Sequence, residues 1–203
     1  MNKSIDKLMS EHRLIEQVLG SLATFLQKLG TNPDLPRQHL AQFAGFFRNF
    51  ADRCQHGKEE DRLFVKMNDC GFPREFGPIS VMLSEHSAGR YHVRALAEIG
   101  AGQGPLTTWE ITQAGEHGDE FITLLLGHIQ KEDHILYPMA QQAIPAHEFD
   151  QLDAACETFE REEIGASEIA KWTALADELN TIYPPDTDRI RAGAACTGCH
   201  GHH

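Results

Sequence analysis

Cys54-Gln55-His56-Gly57-Lys58-Glu59-Glu60-Asp61-Arg62-Leu63-Phe64 is answered later in the chain by Gly127-His128-Ile129-Gln130-Lys131-Glu132-Asp133-His134-Ile135-Leu136. Both stretches read His-x-x-x-Glu-Asp-x-(Leu/Ile)-(Phe/Leu). On an α-helix, residues four apart lie on one face, about 6 Å along the axis. His56 with Glu60, and His128 with Glu132, therefore each set an imidazole beside a carboxylate. One such pair means little on a helix rich in glutamate. Two pairs with matching flanks carry a signal.

Two more histidines extend the pattern, in Ser10-Glu11-His12 and Ser84-Glu85-His86. The order along the chain is Ser-Glu-His, His-x-x-x-Glu, then the same again. The offsets are 86 − 12 = 74 and 128 − 56 = 72, as expected of an internally duplicated helical hairpin. Duplicated hairpins pack as an up-down four-helix bundle, each helix giving one histidine to a shared centre.

The helical pattern supports this all-α reading. Residues 4–29 place Ile5, Leu8, His12, Ile15, Leu19, Leu22, Leu26 and Leu29 at steps of three and four, with Ser4 as N-cap. His12 sits where Leu or Ile would be expected, and a buried imidazole needs a partner. A second helix over about 37–68 carries Phe43, Phe47 and Phe50, then His56, Glu60, Leu63 and Met67. The third, about 79–100, brings Met82, His86, Arg90 and Val93 into one stripe. The fourth, about 107–142, runs Phe121, Leu125, His128, Glu132, Ile135 and Met139, with Pro138 expected to kink it or end its regular part. The bundle is thus assigned to residues 1–143. Residues 144–183 hold further helices, broken near Gly165, that cover the bundle or meet a partner in a homodimer. Residues 184–203 have little apolar content and are expected to form a mobile tail.

Composition bounds the function. The chain has 203 residues with 30 acidic against 18 basic side chains, a formal net charge of −12. Phosphate recognition needs clustered Lys and Arg, so nucleic acid is not an expected partner. No stretch approaches the roughly 20 apolar residues that span a membrane. The start, Met1-Asn2-Lys3-Ser4, leads straight into an amphipathic helix rather than a leader, so a cytoplasmic location is expected.

Four histidines and two glutamates converge in this scheme. Imidazole nitrogen with carboxylate oxygen suits iron, manganese or zinc, and no convergent thiolate points to Fe–S ligation. Two carboxylates can bridge two metals while the histidines cap them, leaving each metal room for a small exogenous molecule.

The pattern His12, His56-x-x-x-Glu60, His86, His128-x-x-x-Glu132 resembles the hemerythrin-like (HHE cation-binding) family, bacterial branch, over about residues 4–142. The resemblance implies a four-helix bundle around a non-haem di-iron centre that meets O2, NO or peroxide. It makes His12, His56, His86 and His128 terminal ligands, and Glu60 and Glu132 the bridging carboxylates. Oxygen-carrying members have a second histidine four residues after the third-helix one and an aspartate on the fourth helix. Arg90 and Glu132 stand at those places here, which argues against reversible O2 transport. Arg90 has no acceptor and cannot ligate a metal; it pairs with Glu59 or another acid just behind the ligands, steadies an anionic ligand, or reaches to the bundle edge.

Other histidines fit the centre poorly. His117 lies 11 residues before His128, about 16 Å away along a helix. His92 and His134 fall off the inward stripe. The tail segment Cys196-Thr197-Gly198-Cys199-His200 matches the c-type haem attachment motif. Without an export segment, a thiol–imidazole metal clasp of Cys196, Cys199 and His200 is a better reading than haem, beside the alternative of a tail with no defined function. The expected function is a di-iron protein that binds, senses or reduces a small oxidant. The alternatives are iron storage or donation of the iron-centre repair type, and a metal-free interaction module.

Overall fold

A computed structural model describes residues 2–195, and among them it holds helices and no strand. Helix α1 is Lys3–Thr31. Helix α2 runs continuously over 37–69 and contains two π-helical stretches, Phe47–His56 and Glu59–Leu63. Helix α3 is Pro78–Gly100, opened by a proline at its first position after Gly77 at φ +76°. Helix α4 spans 108–143 with a π-helical turn at Glu132–Leu136. Its start is fixed by a capping box: Thr107 Oγ1 accepts from the Glu110 N–H, and the Glu110 carboxylate accepts from the Thr107 N–H.

α1, α2, α3 and α4 pack side by side in that cyclic order, α4 returning to α1, as an up-down bundle requires. The core falls into two apolar blocks. One holds Leu19, Leu22, Phe25, Phe43, Phe47, Leu96, Ile122 and Leu126; the other holds Ile5, Leu8, Phe64, Met67, Ile79, Leu136 and Tyr137. Along every helix of the bundle the two blocks are separated by the histidine-bearing turn, so the polar centre lies between two dry plugs.

Some details depart from the sequence pattern. Ser4 does not cap α1, which begins one residue earlier; the Ser4 N–H instead donates to Asp153 at 2.8 Å. Pro138 neither ends nor breaks α4, which continues to Ala143. The π-helical turn at Glu132–Leu136 lies just before it, so the regular α-helical spiral is interrupted there while the helix itself continues.

Three more helices follow in the same chain: α5 over 146–164, α6 Ala166–Ile182 and α7 Thr187–Ala195. All three pack on the bundle. Lys58 of α2, 1% exposed, is clamped between Glu11 of α1 and Glu160 of α5, which ties three helices through one ammonium. Residues 187–195, expected in a mobile tail, are helical. The approach is possible because Gly20 has no side chain: the Asp186 N–H donates to the Gly20 carbonyl at 3.1 Å, and a Cβ there would stand 2.8 Å from Ile190. No helix among the described residues is long and apolar enough to cross a membrane.

Close helix contact predicts opposite effects for two glycine substitutions. A Cβ on Gly100 would lie 2.7 Å from the Ala41 backbone nitrogen, whereas one on Gly115 would meet nothing within 4 Å. Gly100→Ala should lose about 1–3 kcal/mol by forcing α3 from α2. Gly115→Ala should gain about 0.4–1 kcal/mol through a less flexible unfolded chain. Denaturant unfolding of both variants checks the pair; equal effects would refute the close-packing account.

Candidate metal centre

Each bundle helix delivers its side chains from the turn between the two apolar blocks. His12 comes from α1, Gln55, His56 and Glu59 from α2, His86 from α3, and His128 with Glu132 from α4. All are buried: Glu59 and Glu132 are 0% exposed, His12, Gln55, His86 and His128 1%, and His56 6%. They form two adjoining trios, each with ligand atoms within 4.8 Å of one another: His56, His86 and His128, and His12, Glu59 and Glu132. Glu132 joins the trios, standing 3.3 Å from His12 Nε2 and 3.2 Å from His128 Nε2. Glu59 stands 3.6 Å from His86 Nε2.

The four imidazoles are oriented from behind in the same way. His12 Nδ1 meets Asp133 at 2.7 Å, His86 Nδ1 meets Glu60 at 2.7 Å and His128 Nδ1 meets Glu85 at 2.9 Å; His56 Nδ1 has a longer contact to Asp52 at 3.4 Å. A carboxylate at Nδ1 makes that nitrogen the donor and turns Nε2 inward, the arrangement that prepares histidine to bind a metal. Cations back the carboxylates in turn. Arg13 binds Asp133, Lys131 binds Glu85, and Arg90 reaches both Asp52 and Glu60, at 2.8 and 2.6 Å.

At the middle the hydrogen bonding fails. Glu59 Oε2, Glu132 Oε1 and Glu132 Oε2 are buried with no hydrogen-bond partner. Glu59 Oε1 accepts from the Tyr137 hydroxyl, whose ring stacks on His12 at 5.6 Å. Burial works to raise the Glu132 carboxyl, but His128 and His12 outweigh it and hold Glu132 well below the ordinary value. Burial and the facing Glu132 charge push Glu59 well above it. His128 goes up to about 9, because Glu132 and Glu85 overcome the cost of burying its charge. Two carboxylates with three bare oxygens, faced by imidazole Nε2 atoms, have the chemistry of a cation site: hard oxygen with borderline nitrogen suits iron, manganese or zinc.

The sequence-derived residues divide here. His12, His56, His86, His128 and Glu132 come together. Glu60 does not join them: it is turned to the back of His86 and to Arg90, and Glu59 occupies the inward position. The physical reason is register. Leu63-Phe64 and Leu136-Tyr137 match at an offset of 73, which pairs Glu59 with Glu132, Glu60 with Asp133 and Gln55 with His128. The four-residue spacing holds, beginning at Gln55 rather than His56. Arg90 is not beside Glu59 but bridges Asp52 and Glu60. Asp52, Glu85, Asp133 and Gln55 were missed; the offset of 73 would have exposed Gln55 and Asp133. His92 pairs with His117 at 3.2 Å and His134 with Gln130 at 3.1 Å, both outside the two trios. Cys196, Cys199 and His200 lie outside the described residues.

A cavity of about 520 Å³ opens beside the centre between α2, α3 and α4. His56, Asp52, Glu85, Arg90, Phe47 and Phe121 are among the residues that line it, so the cavity reaches the His56 imidazole.

Comparison with known proteins agrees with this geometry. The chain is similar to the iron-sulfur cluster repair protein YtfE of Musicola paradisiaca, 34% identical over 94 residues, covering 44% of this chain and 41% of that protein. It is also similar to the YtfE protein of the same description from Yersinia pseudotuberculosis, 28% identical over 116 residues, covering 55% and 50%. The chain thus spans about half, or less, of the length of these curated relatives. No solved structure is a significant match. The family model described as hemerythrin HHE cation binding domain matches residues 3–140, the span that carries the four bundle helices up to the last three residues of α4 and every residue of the two trios. The chain belongs to the hemerythrin HHE cation-binding domain family.

Proposed function

We propose that this chain holds two iron ions between its four imidazoles and its two inner carboxylates, and that it supplies iron for the repair of damaged iron–sulfur centres. The observation that carries the metal reading is the set of three unpartnered oxygens on Glu59 and Glu132, buried opposite inward-turned imidazole nitrogens. A buried carboxylate oxygen outside any hydrogen bond is costly, and a bound metal ion would give these oxygens a partner. Glu59 and Glu132 would bridge the pair. His56, His86 and His128 would hold one ion, and His12 the other. Ferrous and ferric iron supply one-electron chemistry to such a centre when bound.

The repair role draws on the relatives described as iron-sulfur cluster repair proteins. A second reading, that the centre meets a small oxidant such as O2, NO or peroxide, is favoured by the cavity that reaches His56. In both readings the protein's own groups do similar work. The carboxylates behind Nδ1 hold the imidazoles, and Arg90 ties α3 to α2 through Asp52 and Glu60.

Anaerobic addition of ferrous iron followed by desalting should leave about two ions per chain. Glu132→Ala and Glu59→Ala should each lose at least one, while Glu60→Ala should retain both. Loss from Glu60→Ala with retention in Glu59→Ala would overturn the assignment of Glu59. Incubating the loaded protein with a purified enzyme whose iron–sulfur cluster has been damaged by NO should restore that enzyme's activity, and a strong ferrous chelator should prevent it. Oxidation of the centre by peroxide or O2 with no such recovery would favour the oxidant reading.

Metal uptake should also release protons. At pH 7 a His128 with a value of about 9 carries a proton that a cation must displace. Competition from protons weakens as pH rises toward 9, so apparent affinity should climb across pH 6–8. Calorimetry in buffers of different ionisation enthalpy measures the release; uptake independent of pH would contradict the placement of His128.

A further inference from the structure

We propose that the two metal positions are unequal, and that the adjacent residues Gln55 and His56 make them so. The proposal rests on the two-iron reading above. On α4 the inward place four residues before the carboxylate holds His128. On α2 the equivalent place, four residues before Glu59, holds Gln55, 1% exposed, with its amide 3.0 Å from His12 Nε2. The histidine of α2 sits one residue later, about a quarter turn around the helix. That turn carries His56 away from His12 and onto α3, where its ring stacks on His86 with centroids 3.7 Å apart.

The four imidazoles are therefore shared three to one. His56, His86 and His128 gather on one side, with 3.0 Å between the Nε2 atoms of His86 and His128. His12 is the single imidazole on the other side, beside Glu59, Glu132 and the Gln55 amide. An amide offers a metal only its neutral carbonyl oxygen. The end of the Gln55 amide that meets His12 Nε2, at 3.0 Å, is its NH2. To ligate, the amide must give up that bond and rotate its oxygen inward. The His12 position is thus poorer in nitrogen donors and must break a hydrogen bond on filling. The three-histidine position fills first and keeps its ion; the His12–Gln55 position fills second and releases its ion first. A protein that gives up iron while keeping its bundle assembled gains from one labile and one retained ion.

The test is anaerobic titration of the metal-free full chain with ferrous iron, and with Co(II) for its ligand-field absorption. The expected result is two steps whose apparent affinities differ at least tenfold. A chelator should remove one equivalent well before the other. Gln55→His should bring the two steps within about threefold, and Gln55→Ala should abolish or weaken the second step alone. The spectrum of the first Co(II) equivalent should change in His56→Ala and stay unaltered in Gln55→Ala. Two equivalents bound in one step by the wild-type chain, or a Gln55→Ala titration that matches it, would overturn the inference while leaving the two-metal reading intact. No uptake of either metal would instead overturn the two-metal reading and this inference with it. The wild-type titration decides even where a variant does not fold.

Discussion

Glu59 and Glu132 face one another at the middle of the bundle with three of their four oxygens unpartnered, and much of the structure can be understood as the means of keeping them there. A pair of carboxylates removed from water repels itself and each member loses its hydration. The opposite displacements of their proton affinities express that conflict: Glu132 stays charged through His128 and His12, and Glu59 is driven toward its protonated form. The side chains nearest them come from all four bundle helices, so the centre joins elements that are distant in the chain. The price in stability is met by the two apolar blocks on either side, whose Phe, Leu and Ile side chains are almost wholly buried.

Around this pair the polar groups are arranged in shells of alternating character. Imidazole Nε2 atoms face inward, Nδ1 atoms meet Asp133, Glu60, Glu85 and Asp52, and those acids meet Arg13, Lys131 and Arg90. The outer ion pairs reach partly exposed cations, so the burden of burying charge falls mainly on the two inner carboxylates. Arg90 belongs to this outer shell. Its place in the stripe of α3 brings it near the centre, but its length and its two acids on α2 keep it at the margin. An imidazole in its place could not span both Asp52 and Glu60.

Much of this was legible in the chain. The steps of three and four fixed the bundle, and the inward histidines were readable because they interrupt apolar stripes, as His12 does between Leu8 and Ile15. The choice between Glu59 and Glu60 was not readable from the His-x-x-x-Glu match, since adjacent glutamates satisfy neighbouring registers equally well. Packing resolves it. Leu63 and Phe64 are buried, and their match to Leu136 and Tyr137 fixes which of the two acids turns inward. The π-helical turns at Phe47–His56 and Glu59–Leu63 also escape an α-helical periodicity, because they alter the angle between successive side chains. Helix α7 escaped for another reason: its few apolar side chains find partners on α1, at Gly20, and on α4, both far away in sequence.

The same one-residue register links the fold to the chemistry. Moving a histidine by one position on a regular bundle helix would ordinarily take it out of the centre. Here His56 stays inside with its ring lying flat on His86 of α3. The vacated inward place on α2 then goes to Gln55, which keeps His12 hydrogen-bonded without adding a charge. Glutamine is long enough to reach and neutral enough to be buried beside two carboxylates. An acid there would deepen their repulsion, and an apolar residue would leave His12 Nε2 to Glu132 and Tyr137 alone. Two departures from a plain repeat are thus linked: the displaced histidine stacks on His86 of α3, and glutamine fills the inward place it left.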